Sequence, residues 1–189
     1  MPSVEYDLGY LRAALDTLED YVLSTELYWP IGANSPAGEP DYPRLTLGGV
    51  LLAQKRAHAQ DMSVEQRNEL VSIDEQIDAI RNRWRVAWER KAARGFSQRL
   101  RLWNNFLEDY RHNPRRNADR YNYEVERRVM LHLLQEEADA IPEAEQELLE
   151  GLDKLLRAVL MPGEFIWEQQ LESGFPKEIY WYLYGRLRT

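Results

Sequence analysis

The chain of 189 residues has no cysteine, only three histidines and no long apolar run. Each scarcity excludes something. Without cysteine there is neither a disulfide nor a thiolate to act as nucleophile or metal ligand. The histidines, His58, His112 and His132, stand far apart with no H-x-x-x-H spacing, and no Glu-x-x-His of the di-iron bundle type occurs, so no metal or other cofactor is expected. No stretch approaches the ~20 apolar residues that a membrane-spanning helix needs, which removes a membrane as an expected partner. The opening MPSVEYDLGYL has acids where a signal peptide would be basic and then apolar, so a cytoplasmic location is the expectation. The serines lie in no nucleophile elbow and no S-x-x-K context. Gly48-Gly49 ahead of a helix lacks the spacing of a phosphate loop.

Apolar residues make up 44% and charged residues 30%, the balance of a folded domain rather than a disordered tail. A chain of this length is expected to form a single domain, residues 1–189, with a sizeable core. Six tryptophans and eleven tyrosines supply large side chains for that core, with some to spare for an interface.

Apolar spacing is helical nearly everywhere. Val4, Leu8, Leu11, Leu15, Leu18 and Val22 step by four and three, which predicts a heptad-type helix over 3–25 with acidic flanks that include Glu5 and Asp7. Thr46 is placed to cap a short helix over 47–60, where Gly48 and Gly49 allow another backbone to come close. Ser63 with Gln66 forms a capping box for the longest run. From there Ile73, Ile77, Ile80, Trp84, Trp88, Ala92, Phe96, Leu100, Trp103, Leu107 and Tyr110 share a face as far as Asn113-Pro114. This reads as one long central helix over 63–113, or two nearly continuous ones. Further helices are predicted over 118–140 and 143–160, and a last one starting at Pro176. No stretch alternates apolar and polar residues as a half-buried strand would, so the predicted fold class is all-α: a helical bundle around one long central helix.

Residues 26–46 hold Pro30, Pro36, Pro40 and Pro43 with Gly32 and Gly38, which exclude regular structure. This Pro/Gly-rich stretch between the first two helices is predicted to cap one end of the bundle. Its aromatics, Tyr28, Trp29 and Tyr42, could wall a pocket beneath it.

Charge is unevenly distributed. The net value is −8, yet residues 81–128 carry 14 bases against 6 acids; residues 1–80 carry 5 against 14, and residues 129–189 carry 5 against 12. At 100° per residue, Arg83, Arg90, Arg94 and Arg101 face away from the apolar stripe, and Arg115 and Arg116 extend the basic track. Arg81 and Arg99 fall near the stripe and are expected to need carboxylate partners from the first helix or the 143–153 segment. Three functions follow in order of support. The first is a non-enzymatic interaction or structural protein that binds a protein partner or itself. The second is a nucleic-acid-binding accessory protein that uses the arginine track. The third is a small-molecule binder or enzyme with its pocket under residues 26–46.

Overall fold

The computed structural model describes residues 2–189. The chain is mostly helical, with nine α-helices among the described residues: α1 Val4–Leu15, α2 Leu18–Leu23, α3 Leu47–Ala59, α4 Val64–Arg83, α5 Arg85–His112, α6 Pro114–Asn117, α7 Tyr121–Glu124, α8 Glu126–Glu137 and α9 Glu143–Val159. No helix among them is long and apolar enough to cross a membrane.

The starts obey local chemistry. The Ser3 hydroxyl accepts from the Tyr6 N–H, Thr46 from the Gly49 N–H, and Ser63 and Gln66 close the capping box of α4. In α5 the predicted stripe is the buried one: Trp88, Ala92, Phe96, Leu100, Trp103, Leu107 and Tyr110 all lie inside. It packs chiefly on α8, and also against α2, α3, α4 and α9. α3 lies against α1 and α8, and Gly48 lets it approach: a Cβ there would sit 3.2 Å from Leu134 and 3.3 Å from Met130 of α8.

The 63–113 run is two helices, not one. Trp84 breaks it, with φ −115° and ψ 36°. The hydrogen-bond ladder survives the bend: Trp84 N–H donates 2.9 Å to the Ile80 carbonyl, and the Trp84 carbonyl accepts from Trp88 N–H at 2.9 Å. The indole Nε1 donates 2.9 Å to Glu19 Oε1. The bend lets α4 lie along α1 while α5 lies along α8, which one straight helix could not do. The first predicted helix is likewise split, at Asp16-Thr17, and the 118–140 helix begins as a 3₁₀ turn, Ala118–Arg120, and is broken again at Val125.

The expectation of no strand is overturned at the C-terminal end. No α-helix follows Pro176 among the described residues. Instead β1, Leu160–Phe165, pairs antiparallel with β2, Tyr184–Leu187, with Leu160 opposite Leu187 and a register slip between Pro162 and Phe165. Two 3₁₀ turns, Gln169–Gly174 and Trp181–Leu183, lie between them. The aromatics of this C-terminal segment pack on one another. Phe165 meets Tyr184 at 5.2 Å, Trp167 meets Phe175 at 5.2 Å, and Phe175 meets Tyr180 at 5.1 Å between ring centres.

Gly185 permits that ribbon. Its φ is +152°, and a Cβ would lie 2.3 Å from the Met161 carbonyl oxygen. Replacing Gly185 with Val should therefore destabilise the fold by about 1–3 kcal/mol in urea unfolding. Gly151, within α9 with open space around it, is the control: Gly151→Ala should stabilise by up to about 1 kcal/mol.

Candidate functional site

Eight arginines touch a carboxylate of the fold; among the described residues the others, which include Arg44, Arg67, Arg99, Arg111, Arg157, Arg186 and Arg188, have none within 4.0 Å. Arg12, Arg56, Arg81, Arg83, Arg85, Arg120, Arg127 and Arg128 each pair with a carboxylate of the fold. Arg90, Arg94, Arg101, Arg115 and Arg116 are exposed, and among the described residues none has a carboxylate within 4.0 Å. Arg90, Arg94 and Arg101 line one face of α5 over about 17 Å at ~1.5 Å per residue. Arg115 and Arg116 sit on α6 just past its end. Arg83, counted with the row from sequence, belongs to α4: it pairs with Glu19 at 3.5 Å and stacks 5.1 Å from the Trp84 ring. Arg101 donates to the Gln98 side chain, and Gln98 Nε2 donates 3.4 Å to the hydroxyl of Tyr28, which is itself exposed. One of the loop aromatics thus stands beside the arginine row.

The inner arginines part company. Arg81 donates 3.1 Å to Glu137 Oε1 and also meets Asp78 at 2.8 Å, so its partners come from the end of α8 and its own helix rather than from the predicted segments. Trp88 Nε1 donates 2.7 Å to the other oxygen of Glu137. Arg99 donates 3.1 Å to the Thr46 hydroxyl, and among the described residues no carboxylate lies within 4.0 Å of it.

Trp29 is half-buried, paired backbone to backbone with Leu45 and edge-on to Tyr21. Tyr42 is wedged against Tyr6 and Tyr10, with ring centres 4.9 and 5.8 Å away. Neither lines the cavity beneath the loop, and nor does Tyr28. That cavity, of about 250 Å³, is bounded by Tyr6, Tyr10, Asp41, Leu52, Arg56, Glu126 and Met130 among others. The loop is strapped over it: Tyr6 Oη donates 3.3 Å to the Asp41 carbonyl and Tyr10 Oη 3.5 Å to that of Arg44. At the loop's other root, buried Lys91 of α5 donates to the Ser24 carbonyl at 2.8 Å and to that of Glu26 at 2.6 Å. Burial and the nearby Arg94 hold its ammonium down at about 8.

Next to the cavity lies the most deeply buried charge in the molecule. Asp7 is 0% exposed and Arg56 is 7% exposed. Arg56 Nη2 donates 2.6 Å to Asp7 Oδ1, its Nε lies 3.2 Å from both carboxylate oxygens, and Gln60 Nε2 donates 3.4 Å to Oδ2. Its remaining nitrogen, Nη1, is 3.7 Å from Glu126 Oε1. Burial pushes Asp7 up to about 6 against the pull of Arg56, and pushes Glu126 up as well. Burial opposes charge on Arg56, but Asp7 and Glu126 outweigh it and hold the guanidinium charged. The sequence reading assigned Asp7 to the acidic flank of the first helix. The signal against that was present: residue 7 lies between Val4 and Leu11 on the apolar seam, where an acid must have a partner.

A second buried pair ties α8 to α9. Arg128 grips Asp153 through two bonds of 2.8 Å and stacks 4.7 Å over Tyr182. Two histidines serve as surface contacts, His58 with Asp74 at 2.7 Å and His112 with the Glu108 carbonyl at 2.7 Å, while half-buried His132 lies edge-on to Tyr180 and 3.5 Å from Glu136. Among the described residues no three His, Asp or Glu side chains converge as metal ligands would. Comparison with known protein families, with characterised proteins and with solved structures finds no match to this chain.

Breaking the buried pair should be costly. Arg56→Met leaves the Asp7 carboxyl fully buried with only Gln60 beside it and should destabilise by about 3–5 kcal/mol, whereas Asp7→Leu with Arg56→Met should recover most of that loss. The pH dependence has a definite sign. A carboxyl raised from 3.8 to about 6 binds its proton more readily in the folded state. Its contribution to stability is full below 3.8 and is lost as pH rises through about 6. Urea unfolding across that window should therefore show wild type losing stability relative to Asp7→Asn as pH increases.

Proposed function

We propose that this chain is a non-enzymatic docking protein whose arginine face on α5 meets an acidic protein surface. The observation that carries this reading is the division of the arginines. Eight are paired within the fold, while Arg90, Arg94 and Arg101 share one exposed face of α5 and Arg115 and Arg116 are exposed on α6, and among the described residues none of these five has a carboxylate within 4.0 Å. Unpaired guanidinium groups with fixed forks are suited to carboxylates on a partner. The charge outside this region favours a compact acidic partner over a long polyanion. Residues 1–80 and 129–189 are strongly acidic, and they would be brought towards the phosphates of any extended duplex. A second copy of the chain, with its acid-rich α9, has the required chemistry.

One observation favours nucleic acid as a second reading. Tyr28 is exposed beside Gln98 on the flank of the row, where it could stack a base while the arginines take phosphates. Fluorescence anisotropy at low salt separates the two, with labelled polyglutamate and labelled single-stranded DNA as probes. Wild type should bind polyglutamate more tightly than DNA, and Arg90→Gln with Arg94→Gln and Arg101→Gln should abolish most of that binding. Tighter binding to DNA, with a salt slope that falls by about 2 on replacing the three arginines, would establish the second reading instead. Binding to neither probe would overturn both.

A further inference from the structure

On its solvent side α9 carries a second row of charge that the fold does not pair. Glu143, Glu147 and Glu150 are exposed, and among the described residues none has a base within 4.0 Å. Lys154 continues the row, exposed and with no carboxylate of the described residues within 4.0 Å. At 100° per residue these four side chains start within about 60° of one another. The row turns away from its own α5: Glu145, on the other side of α9, accepts 2.8 Å from the Ser97 hydroxyl. The outer face of α5 has the reverse order of signs. Arg90, Arg94 and Arg101 are followed on the same face by exposed Glu108, which accepts 3.1 Å from the Asn104 amide and has no base of the described residues within 4.0 Å. Three acids and then a base on α9 thus match three bases and then an acid on α5.

We propose that two copies of this chain associate by laying α9 of one along α5 of the other, both helices running in the same direction. The inference rests on the docking reading and names its partner. Spacing fixes the register. Glu143 and Glu150 are seven residues apart, as are Arg94 and Arg101, about 10.5 Å at ~1.5 Å per residue. With Glu143 opposite Arg94, Glu150 falls opposite Arg101 and Glu147 beside Gln98. Lys154 then falls beside Asn105, one turn from Glu108. Reversing α9 keeps both Glu–Arg pairs but sets Lys154 on Arg90, like charge against like. The sign pattern therefore selects a direction as well as a partner. Guanidinium forks can hold carboxylates by two bonds, but each exposed ion pair contributes little, so the association is reversible and needs several pairs at once.

Two charge-reversed proteins provide the test, one carrying Arg94→Glu and Arg101→Glu, the other Glu143→Arg and Glu150→Arg. Sedimentation velocity is run at moderate salt, which screens the long-range repulsion between chains of net charge −8 more than it screens close contacts. Wild type should self-associate as its concentration rises. Each reversed protein alone should do so at least about tenfold more weakly, because like charges then face each other. Mixed together, the two should associate about as tightly as wild type, since each supplies the sign that the other has lost. Circular dichroism of each variant establishes that its helices are intact. Self-association that neither reversal weakens, or a mixture of the two folded variants that stays monomeric, would overturn the inference. So would a wild type that stays monomeric up to millimolar concentration. If that monomer still binds polyglutamate the docking reading survives without this partner; if it does not, both fall.

Discussion

The burial of the aromatic stripe on α5 is the constraint on which the rest of the structure depends. Trp88, Phe96, Leu100, Trp103, Leu107 and Tyr110 are each 3% exposed or less. At about 1.5–3 kcal/mol per large side chain removed from water, these outweigh any surface ion pair, which contributes about 0.2–1 kcal/mol. A helix held so firmly on one side has no rotational freedom left. At 100° per residue the same packing that buries Trp88 and Leu100 turns Arg90, Arg94 and Arg101 outwards. Their exposure follows from the core, and no surface interaction is needed to account for it.

Buried charges then tie neighbouring elements together. Asp7 and Arg56 join α1 to α3, Arg128 and Asp153 join α8 to α9, and Glu137 at the end of α8 gathers Arg81 of α4 with the indole of Trp88. Lys91 closes the C-terminal carbonyls beyond α2 onto α5. Much of the contrast between acidic outer segments and a basic middle is therefore internal pairing across elements. Within the basic segment, Arg90, Arg94, Arg101, Arg111, Arg115 and Arg116 are the exposed arginines that internal pairing leaves over.

How much of this is legible in sequence depends on whether the deciding term is local. Caps at Ser3, Thr46 and Ser63 and the buried stripe of α5 follow from spacing and hydrogen-bond chemistry within a few residues, and they read correctly. The bend at Trp84 does not, because the apolar period runs straight through it; what separates α4 from α5 is that one lies on α1 and the other on α8, a tertiary preference. The ribbon of Leu160–Phe165 with Tyr184–Leu187 is missed for a similar reason. Its strands are short, one contains Pro162 and Gly163, and their pairing is set by contacts across the intervening turns rather than by alternation. The buried Asp7 lay within reach of helical phase alone, yet its partner Arg56 is 49 residues away, and no local pattern names it. The cavity beside Asp41 and Pro43 takes its walls from helix residues such as Tyr6, Tyr10 and Glu126, while Trp29 and Tyr42, the walls expected from sequence, pack against Tyr21, Tyr6 and Tyr10 instead.

The central claim is that the exposed arginines of α5 serve recognition and are not needed for folding. Urea unfolding of a protein carrying Arg90→Gln, Arg94→Gln and Arg101→Gln, beside wild type at low and moderate salt, tests it most directly. Each site should cost no more than about 0.5 kcal/mol, and relief of mutual repulsion should make the variant equal to or more stable than wild type at low salt. A loss of several kcal/mol, with the midpoint falling and the transition still cooperative, would show that the row is part of the fold's own support and would contradict the account.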